Sequence, residues 1–314
     1  MPWAGMNEAG LMISTMFLEQ TRNPSPDERP PLVSPLWIQY MLDTSASIAE
    51  VIANDARVRI KDTVDHYLVC DQTGTCASFE FLQGKTVFHT GKSMPVKALA
   101  NQVYEKQAKG WLSDKLPDKD RFHLAVDRIG AFQPTDTASA VTYAFDTLEQ
   151  LSGQVLHGTP TQWSIVFNPS DLRVYFRTSR NPQIRSLDFS ELDLGCETPV
   201  QMLDIHAPLE GDISHKLERF SFDANLRQTL NFLNQWGANV MPEWKVEVLE
   251  RGVTSFPCKQ PSTPYQAEIK PLIPPVVGWA ALALLYRFWW VGILVGLCLT
   301  TLVAWQIKVH GTKR

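Results

Sequence analysis

The chain of 314 residues has few cysteines, no long basic run and no histidine spacing that suits a metal. Its five cysteines are too scattered for the disulfide framework of a small secreted protein. The one close pair, Cys70 and Cys76, is spaced too widely for a structural zinc site and has no second pair beside it. We therefore expect neither a metal nor an organic cofactor.

Charge is unevenly distributed along the chain. Residues 1–254 carry 23 Lys and Arg against 32 Asp and Glu (−9), whereas residues 255–314 carry 6 against 1 (+5). An acidic body without a basic patch lacks the electrostatic footprint of nucleic-acid binding. We expect no nucleic-acid partner, and the two parts need separate interpretation.

The last part of the chain contains a long apolar run, residues 288–307, with no charged side chain. A helix of this length would rise about 30 Å, the thickness of the hydrocarbon core of a bilayer. Tryptophans stand at both ends, as at membrane interfaces: Trp289, Trp290 and Trp305. The alternative is a buried core helix. We predict a single transmembrane helix over 288–307.

Four other segments are predicted around this run: a hydrolase-like domain over 1–254, a proline-rich tether over 255–275, an interfacial apolar segment over 276–287 and a basic tail over 308–314. Basic residues after the span favour a cytoplasmic C-terminus and a body outside the cytoplasm. The first residues, however, do not resemble a signal peptide. The expected localisation is the membrane, through the C-terminal helix.

Apolar periodicity in residues 1–254 predicts an α+β domain. Alternating, β-branched runs predict strands, and runs with helical spacing predict helices between them. Two of the strand pairs flank short polar turns and predict hairpins, hence antiparallel sheet. The predicted strands are 10–18, 65–71, 76–82, 85–90, 163–168 and 172–178; the predicted helices are 35–42, 47–53, 98–109, 121–132, 138–151 and 224–236.

Five blocks occur in one order along the chain: GMNEAGL (5–11), HYLVCDQTGTCASFEFL (66–82), PVKALAN (95–101), DRF (120–122) and QWSIV (162–166). Together they resemble the linear amide carbon-nitrogen hydrolases, the choloylglycine hydrolase family, on its penicillin V acylase-like side. The resemblance covers about residues 4–250. It implies the αββα sandwich of N-terminal nucleophile hydrolases and a small-molecule amide substrate.

The resemblance also implies a mechanism. An N-terminal cysteine thiolate attacks a linear amide while its own α-amine moves the proton, a task that suits an amine titrating near neutral pH. In the family this cysteine precedes the GMNE block. We therefore expect the sandwich to be incomplete at its N-terminus and this chain, as given, to lack the nucleophile and to be inactive.

Three site residues follow from the blocks. Asn101 matches the asparagine that donates to the oxyanion of the tetrahedral intermediate; the alternative is a helix cap. Arg121 matches an arginine beside the nucleophile; the alternative is a surface residue paired with Asp118 or Asp120. These two are the predicted catalytic residues.

Phe17 falls at a position where bile salt hydrolases carry asparagine and penicillin V acylase-like members carry an aromatic residue. We predict that its ring binds an apolar acyl group of the substrate, with core packing as the alternative. The sequence thus favours a linear amide hydrolase by family resemblance. The alternative is a membrane-tethered pseudoenzyme or ligand-binding domain.

Overall fold

The computed structural model describes residues 3–113, 120–152, 161–195, 197–235 and 246. The chain divides into two units, Met1–Pro264 and Tyr265–Arg314, and all described residues lie in the first. This unit mixes helices with mainly antiparallel sheet, which confirms the predicted α+β class.

In chain order the elements are β1 (Ala4–Met6), β2 (Met12–Phe17), β3 (Pro31–Val33), α1 (Ser34–Thr44), α2 (Ile48–Asp55), β4 (Arg59–Lys61), β5 (Asp65–Cys70), β6 (Cys76–Leu82), β7 (Lys85–Thr90), α3 (Tyr104–Leu112), α4 (Arg121–Gly130), α5 (Thr137–Ser152), β8 (Trp163–Asn168), β9 (Arg173–Thr178), β10 (Arg185–Asp188), β11 (Gln201–Met202), β12 (Gly211–Asp212), β13 (Glu218–Arg219) and α6 (Phe222–Gln235). The six predicted strands correspond to β2, β5, β6, β7, β8 and β9. Each predicted helix overlaps an observed one.

A five-stranded sheet in the order β1-β2-β5-β6-β7 is antiparallel throughout. Strands β6 and β7 are joined by Gln83 and Gly84, both with positive φ, the conformation of the tight turn that matches strand twist. Successive residues of each strand point to opposite faces, so this sheet supports two separate apolar clusters.

Helices α1 and α2 cover one face of this sheet. Trp37 of α1 is fully buried and stacks on Tyr67 of β5 with ring centroids 4.6 Å apart. Its indole Nε1 donates to a carboxylate oxygen of Asp55, at the end of α2, at 2.8 Å. One side chain therefore joins both helices to the sheet, with the polar atom of the indole satisfied.

The opposite face is covered by α3, α4 and the segment 94–103, which we call the strap. Tyr104 and Phe122 are buried there with small strap residues such as Ala98. The prediction that α3 begins at residue 98 is wrong, since the helix begins at Tyr104. The strap is not helical because tertiary bonds hold it, including one from the Tyr104 hydroxyl to the Val96 carbonyl at 2.9 Å.

Between the end of β5 and the start of β6 the hairpin is closed by a polar turn and a disulfide. The Asp71 carboxylate accepts from the backbone N–H of Thr75, and a disulfide joins Cys70 to Cys76. From the strap, Lys97 donates to the carbonyl of Gly74 in the turn at 2.7 Å. The turn and the strap are thus directly linked.

A second, four-stranded sheet has the order β12-β10-β9-β8, with β12 parallel to β10 and the other pairs antiparallel. Helix α5 packs against β8. From β9, Arg177 lies over the ring of Phe145 and donates to the carboxylate of Glu149, both on α5. Two short pairs, β3 with β4 and β11 with β13, complete the described sheets.

The predicted transmembrane helix and membrane localisation are corrected here. A bilayer crossing needs about 20 consecutive apolar residues in a helix, whereas α5, the longest described helix, has 16 residues. Across the described ranges no helix is long and apolar enough to cross a membrane. The segment 288–307, the tether, the interfacial segment and the basic tail lie outside those ranges. The described fold is α+β without a transmembrane helix.

Candidate functional site

The structure brings the three predicted site residues together. Asn101, near the end of the strap, donates from Nδ2 to the backbone carbonyl of Phe17, the last residue of β2, at 3.0 Å. Arg121, the first residue of α4, donates from Nη1 to Oδ1 of Asn101 at 3.3 Å. Residues 84 and 20 positions apart in sequence therefore meet at one amide group.

The helix-cap alternative for Asn101 is wrong. Helix α3 begins at Tyr104, its N-cap residue is Val103, and that residue makes no side-chain cap bond. The Asn101 side chain instead bridges β2 and α4. Its position is determined by tertiary contacts and not by the local needs of a helix end.

The two bonds of Asn101 also settle which way its amide points. A guanidinium can only donate and a carbonyl can only accept, so Oδ1 faces Arg121 and the NH₂ group faces Phe17. That NH₂ group carries two N–H donors, and the Phe17 carbonyl takes one. Within the described part of the chain, the second has no hydrogen-bond partner. A fixed amide with one uncommitted donor is the geometry that an oxyanion contact requires.

Arg121 is a partly desolvated cation. Its Nε is shielded from solvent and has no partner among the described residues, and burial lowers the pKa of the guanidinium. The carboxylate of Asp120 caps α4 through the N–H groups of Phe122 and His123. The pairing with Asp120 considered from the sequence is therefore not formed, and Asp118 lies outside the described ranges. A partly desolvated guanidinium whose one hydrogen bond within the described ranges is to an amide oxygen favours an anion nearby.

Phe17 reaches the site through its backbone, which the sequence did not predict. Its carbonyl receives the Asn101 bond, while the residue as a whole is 47% exposed. The core-packing alternative is wrong at that exposure. The ring lies at the surface, and substrate contact by this ring stays a prediction.

Two further residues lie directly behind the site. His66 of β5 bonds through Nε2 to the Ala100 carbonyl at 2.7 Å and through Nδ1 to Glu80 of β6 at 3.1 Å. Glu80 also accepts from the backbone N–H of Tyr104 at 2.9 Å. Both side chains are fully buried. The sequence contained a signal for them, since His66 and Glu80 stand within two predicted and largely apolar strands.

The cysteines within the described ranges are not available as nucleophiles. Cys70 and Cys76 are joined in the hairpin disulfide, and an attacking group must be a thiolate. The other three, Cys196, Cys258 and Cys298, lie outside the described ranges. Among described residues no group of three or more His, Cys, Asp or Glu side chains could hold a metal ion.

Comparisons with known proteins agree with this architecture. No family model matches the chain. Penicillin V acylase from Pectobacterium atrosepticum is 24% identical over 60% of this chain and 62% of its own length. The chain thus spans less than two thirds of that relative.

Two solved structures are similar in fold. Penicillin V acylase from Agrobacterium tumefaciens has a TM-score of 0.62 at 24% identity, over 69% of this chain and 77% of that one. A mutant of the conjugated bile acid hydrolase from Clostridium perfringens has a TM-score of 0.52 at 17% identity, over 61% and 74%. The predicted resemblance to the choloylglycine hydrolase family is confirmed, and the relatives are amide hydrolases by name. The expected absence of the nucleophile stays a prediction.

Proposed function

We propose that this chain, which has the fold of penicillin V acylase, serves the hydrolysis of linear amide bonds, with Asn101 as the oxyanion donor. The observation that carries the proposal is the single Asn101 amide fixed by Arg121 and the Phe17 carbonyl, with one N–H left uncommitted. A preorganised donor of this kind stabilises a tetrahedral intermediate by roughly 3–4 kcal/mol relative to its absence.

In the reaction that the resemblance implies, a cysteine thiolate adds to the amide carbonyl and the carbonyl oxygen becomes an oxyanion. The free N–H of Asn101 would donate to that oxygen as its charge grows. Collapse of the intermediate expels the amine, which takes its proton from the α-amine of the nucleophile. Water then releases the acyl group from the thioester.

Arg121 has two parts in this proposal. Its bond to Oδ1 keeps the Asn101 NH₂ group turned toward the reacting oxygen. Its partly buried positive charge also favours the thiolate and the oxyanion over their neutral forms. Phe17 would contact the acyl group with its exposed ring.

The experiment compares two proteins: the full chain, and a chimera in which residue 4 onward follows the N-terminal segment of the Agrobacterium acylase. Each is incubated with penicillin V, and release of the primary amine is measured. We expect turnover by the chimera, and its loss by roughly 10²-fold or more in Asn101→Ala. A chimera that folds and is inactive, or one unaffected by Asn101→Ala, would contradict the proposal.

The second candidate is a ligand-binding domain without turnover. The partly desolvated Arg121, which lacks a carboxylate partner in the described ranges, supports it because such a group can hold the acid product of an amidase. Binding of phenoxyacetate to the full chain, abolished by Arg121→Met and accompanied by no hydrolysis in either protein, would favour this candidate.

A further inference from the structure

A buried pair of ionisable side chains lies behind the candidate oxyanion donor. His66 and Glu80 stand opposite each other on neighbouring strands, one residue beyond the paired Tyr67 and Phe79. Both have no exposed side-chain surface. Neither group takes part in the hydrolysis proposed above.

The contacts of His66 determine where its proton is. The Ala100 carbonyl can only accept, so Nε2 of His66 carries a hydrogen and donates it at 2.7 Å. The other nitrogen, Nδ1, is 3.1 Å from Oε1 of Glu80, so one more proton is shared between them. Either an imidazolium faces a carboxylate or a neutral ring faces a carboxylic acid, and the bond to Ala100 is the same in both.

Together the two side chains bind the backbone on both sides of Asn101. His66 bonds Ala100, the residue before Asn101, and Glu80 accepts from the N–H of Tyr104, where α3 begins. The short stretch that carries Asn101 is therefore fixed at both ends from the sheet below. A second histidine, His89, lies with Nε2 4.0 Å from the other oxygen of Glu80.

We propose that His66 and Glu80 are positioning residues that hold the Asn101 amide in place by fixing the backbone on either side of it. Buried pairs of this kind contribute little net stability compared with apolar side chains of the same volume. A polar pair at this place is better explained by its two directional bonds, one to Ala100 in the strap and one to Tyr104 at the start of α3. The inference rests on the proposed role of Asn101 in hydrolysis.

The test uses two substitutions of the same histidine in the full chain. In His66→Gln the longer amide can place an N–H near the position of Nε2 and keep the bond to Ala100. In His66→Asn the shorter amide reaches only the position of Nδ1, so it keeps the contact with Glu80 and loses Ala100. His206→Asn, which removes a half-buried histidine bonded to Thr178, is the matched control.

The measurement is the NMR order parameter of the Asn101 side-chain amide in protein labelled with ¹⁵N-asparagine, assigned by its disappearance in Asn101→Asp. We expect a rigid value, about 0.85, in the unmodified chain, His66→Gln and His206→Asn, and a value below about 0.6 in His66→Asn. An unchanged order parameter in a folded His66→Asn protein overturns the proposal.

If His66→Asn does not fold, the proposal is tested instead by the protonation state of His66 in the unmodified chain. The ¹⁵N spectrum of labelled histidine must show His66 Nε2 protonated, and an unprotonated Nε2 overturns the proposal because it cannot donate to Ala100. In the chimera we also expect His66→Asn to lower kcat roughly tenfold or more with little change in KM, and His66→Gln to restore most of it. Loss of amide order with no turnover in any chimera counts against the proposed function and leaves the positioning role supported.

Discussion

Replacing Trp37 with Phe should destabilise the domain strongly, because one buried side chain serves two purposes. The phenyl ring keeps part of the stack on Tyr67 but cannot donate to Asp55. Losing a hydrogen bond to a charged group costs about 1.5–3 kcal/mol. The smaller ring leaves a void that costs about 1 kcal/mol more. We expect a loss of about 3 kcal/mol in the free energy of unfolding.

The assay is urea unfolding of the full chain followed by far-ultraviolet circular dichroism at pH 7, with a thermal melt as a second readout. A loss of about 3 kcal/mol corresponds to a fall in Tm of about 6–12 °C for a domain of this size. Asp55→Ala, which removes the acceptor, and the double variant complete a mutant cycle, in which the coupling isolates the indole bond from the void. A loss below about 1 kcal/mol, or no coupling, would refute the reasoning.

Three further predictions concern the site, the hairpin and pH. Asn101→Ala should lower turnover of the chimera by roughly 10²-fold with little loss of stability, checked by amine release and by thermal melting. A marked fall in Tm together with the loss of turnover would indicate that Asn101 is a structural residue. Cys70→Ala with Cys76→Ala should lower stability by about 2 kcal/mol, because the bond closes a loop with a sequence separation of 6; an unchanged urea midpoint would contradict this. Burial raises the pKa of Asp55, so its folded state holds a proton more tightly than its unfolded state. Stability relative to Asp55→Asn should therefore fall as pH rises from about 4 through the folded pKa, and a difference that is constant with pH would contradict the assignment.

Strand prediction succeeded where local pattern and tertiary environment agree. In β6 and β8 the largely apolar runs, each with two aromatic residues, end at turn residues, and the observed bounds Cys76–Leu82 and Trp163–Asn168 match the predicted ones. The predicted start of α3 was wrong because here the local pattern and the tertiary environment disagree. Helical spacing continues back to Ala98, but bonds from the sheet and from Tyr104 hold that stretch in a non-helical form. Sequence periodicity cannot report bonds that come from distant strands.

In the site, too, some features could be predicted from the sequence and others depend on tertiary contacts. Family blocks pointed to Asn101, Arg121 and Phe17, and the three meet in space. What could not be read from the blocks is that Phe17 participates through its carbonyl, since any residue type has one. His66 and Glu80 were visible as polar residues in apolar strands, but their pairing needed the register of β5 and β6.

The membrane prediction illustrates a further limit of composition. Length and hydropathy of residues 288–307 alone supported a span, and no described helix is of that kind. The disulfide was missed because five scattered cysteines gave no framework, although Cys70 and Cys76 flank a predicted turn. Two cysteines placed directly across a hairpin turn are the sequence signal for this disulfide.

The bond from Lys97 to the Gly74 carbonyl limits how this region can change during evolution. It joins the tip of a hairpin to the strap that carries Asn101, and its acceptor is the backbone carbonyl of Gly74, a residue with positive φ. A change in the length of the turn would remove this bond, because the carbonyl of residue 74 would move out of reach of Lys97. Homologues with a longer or shorter turn between the two strands should therefore lack lysine at the position of Lys97, whereas those with the same turn length should retain it.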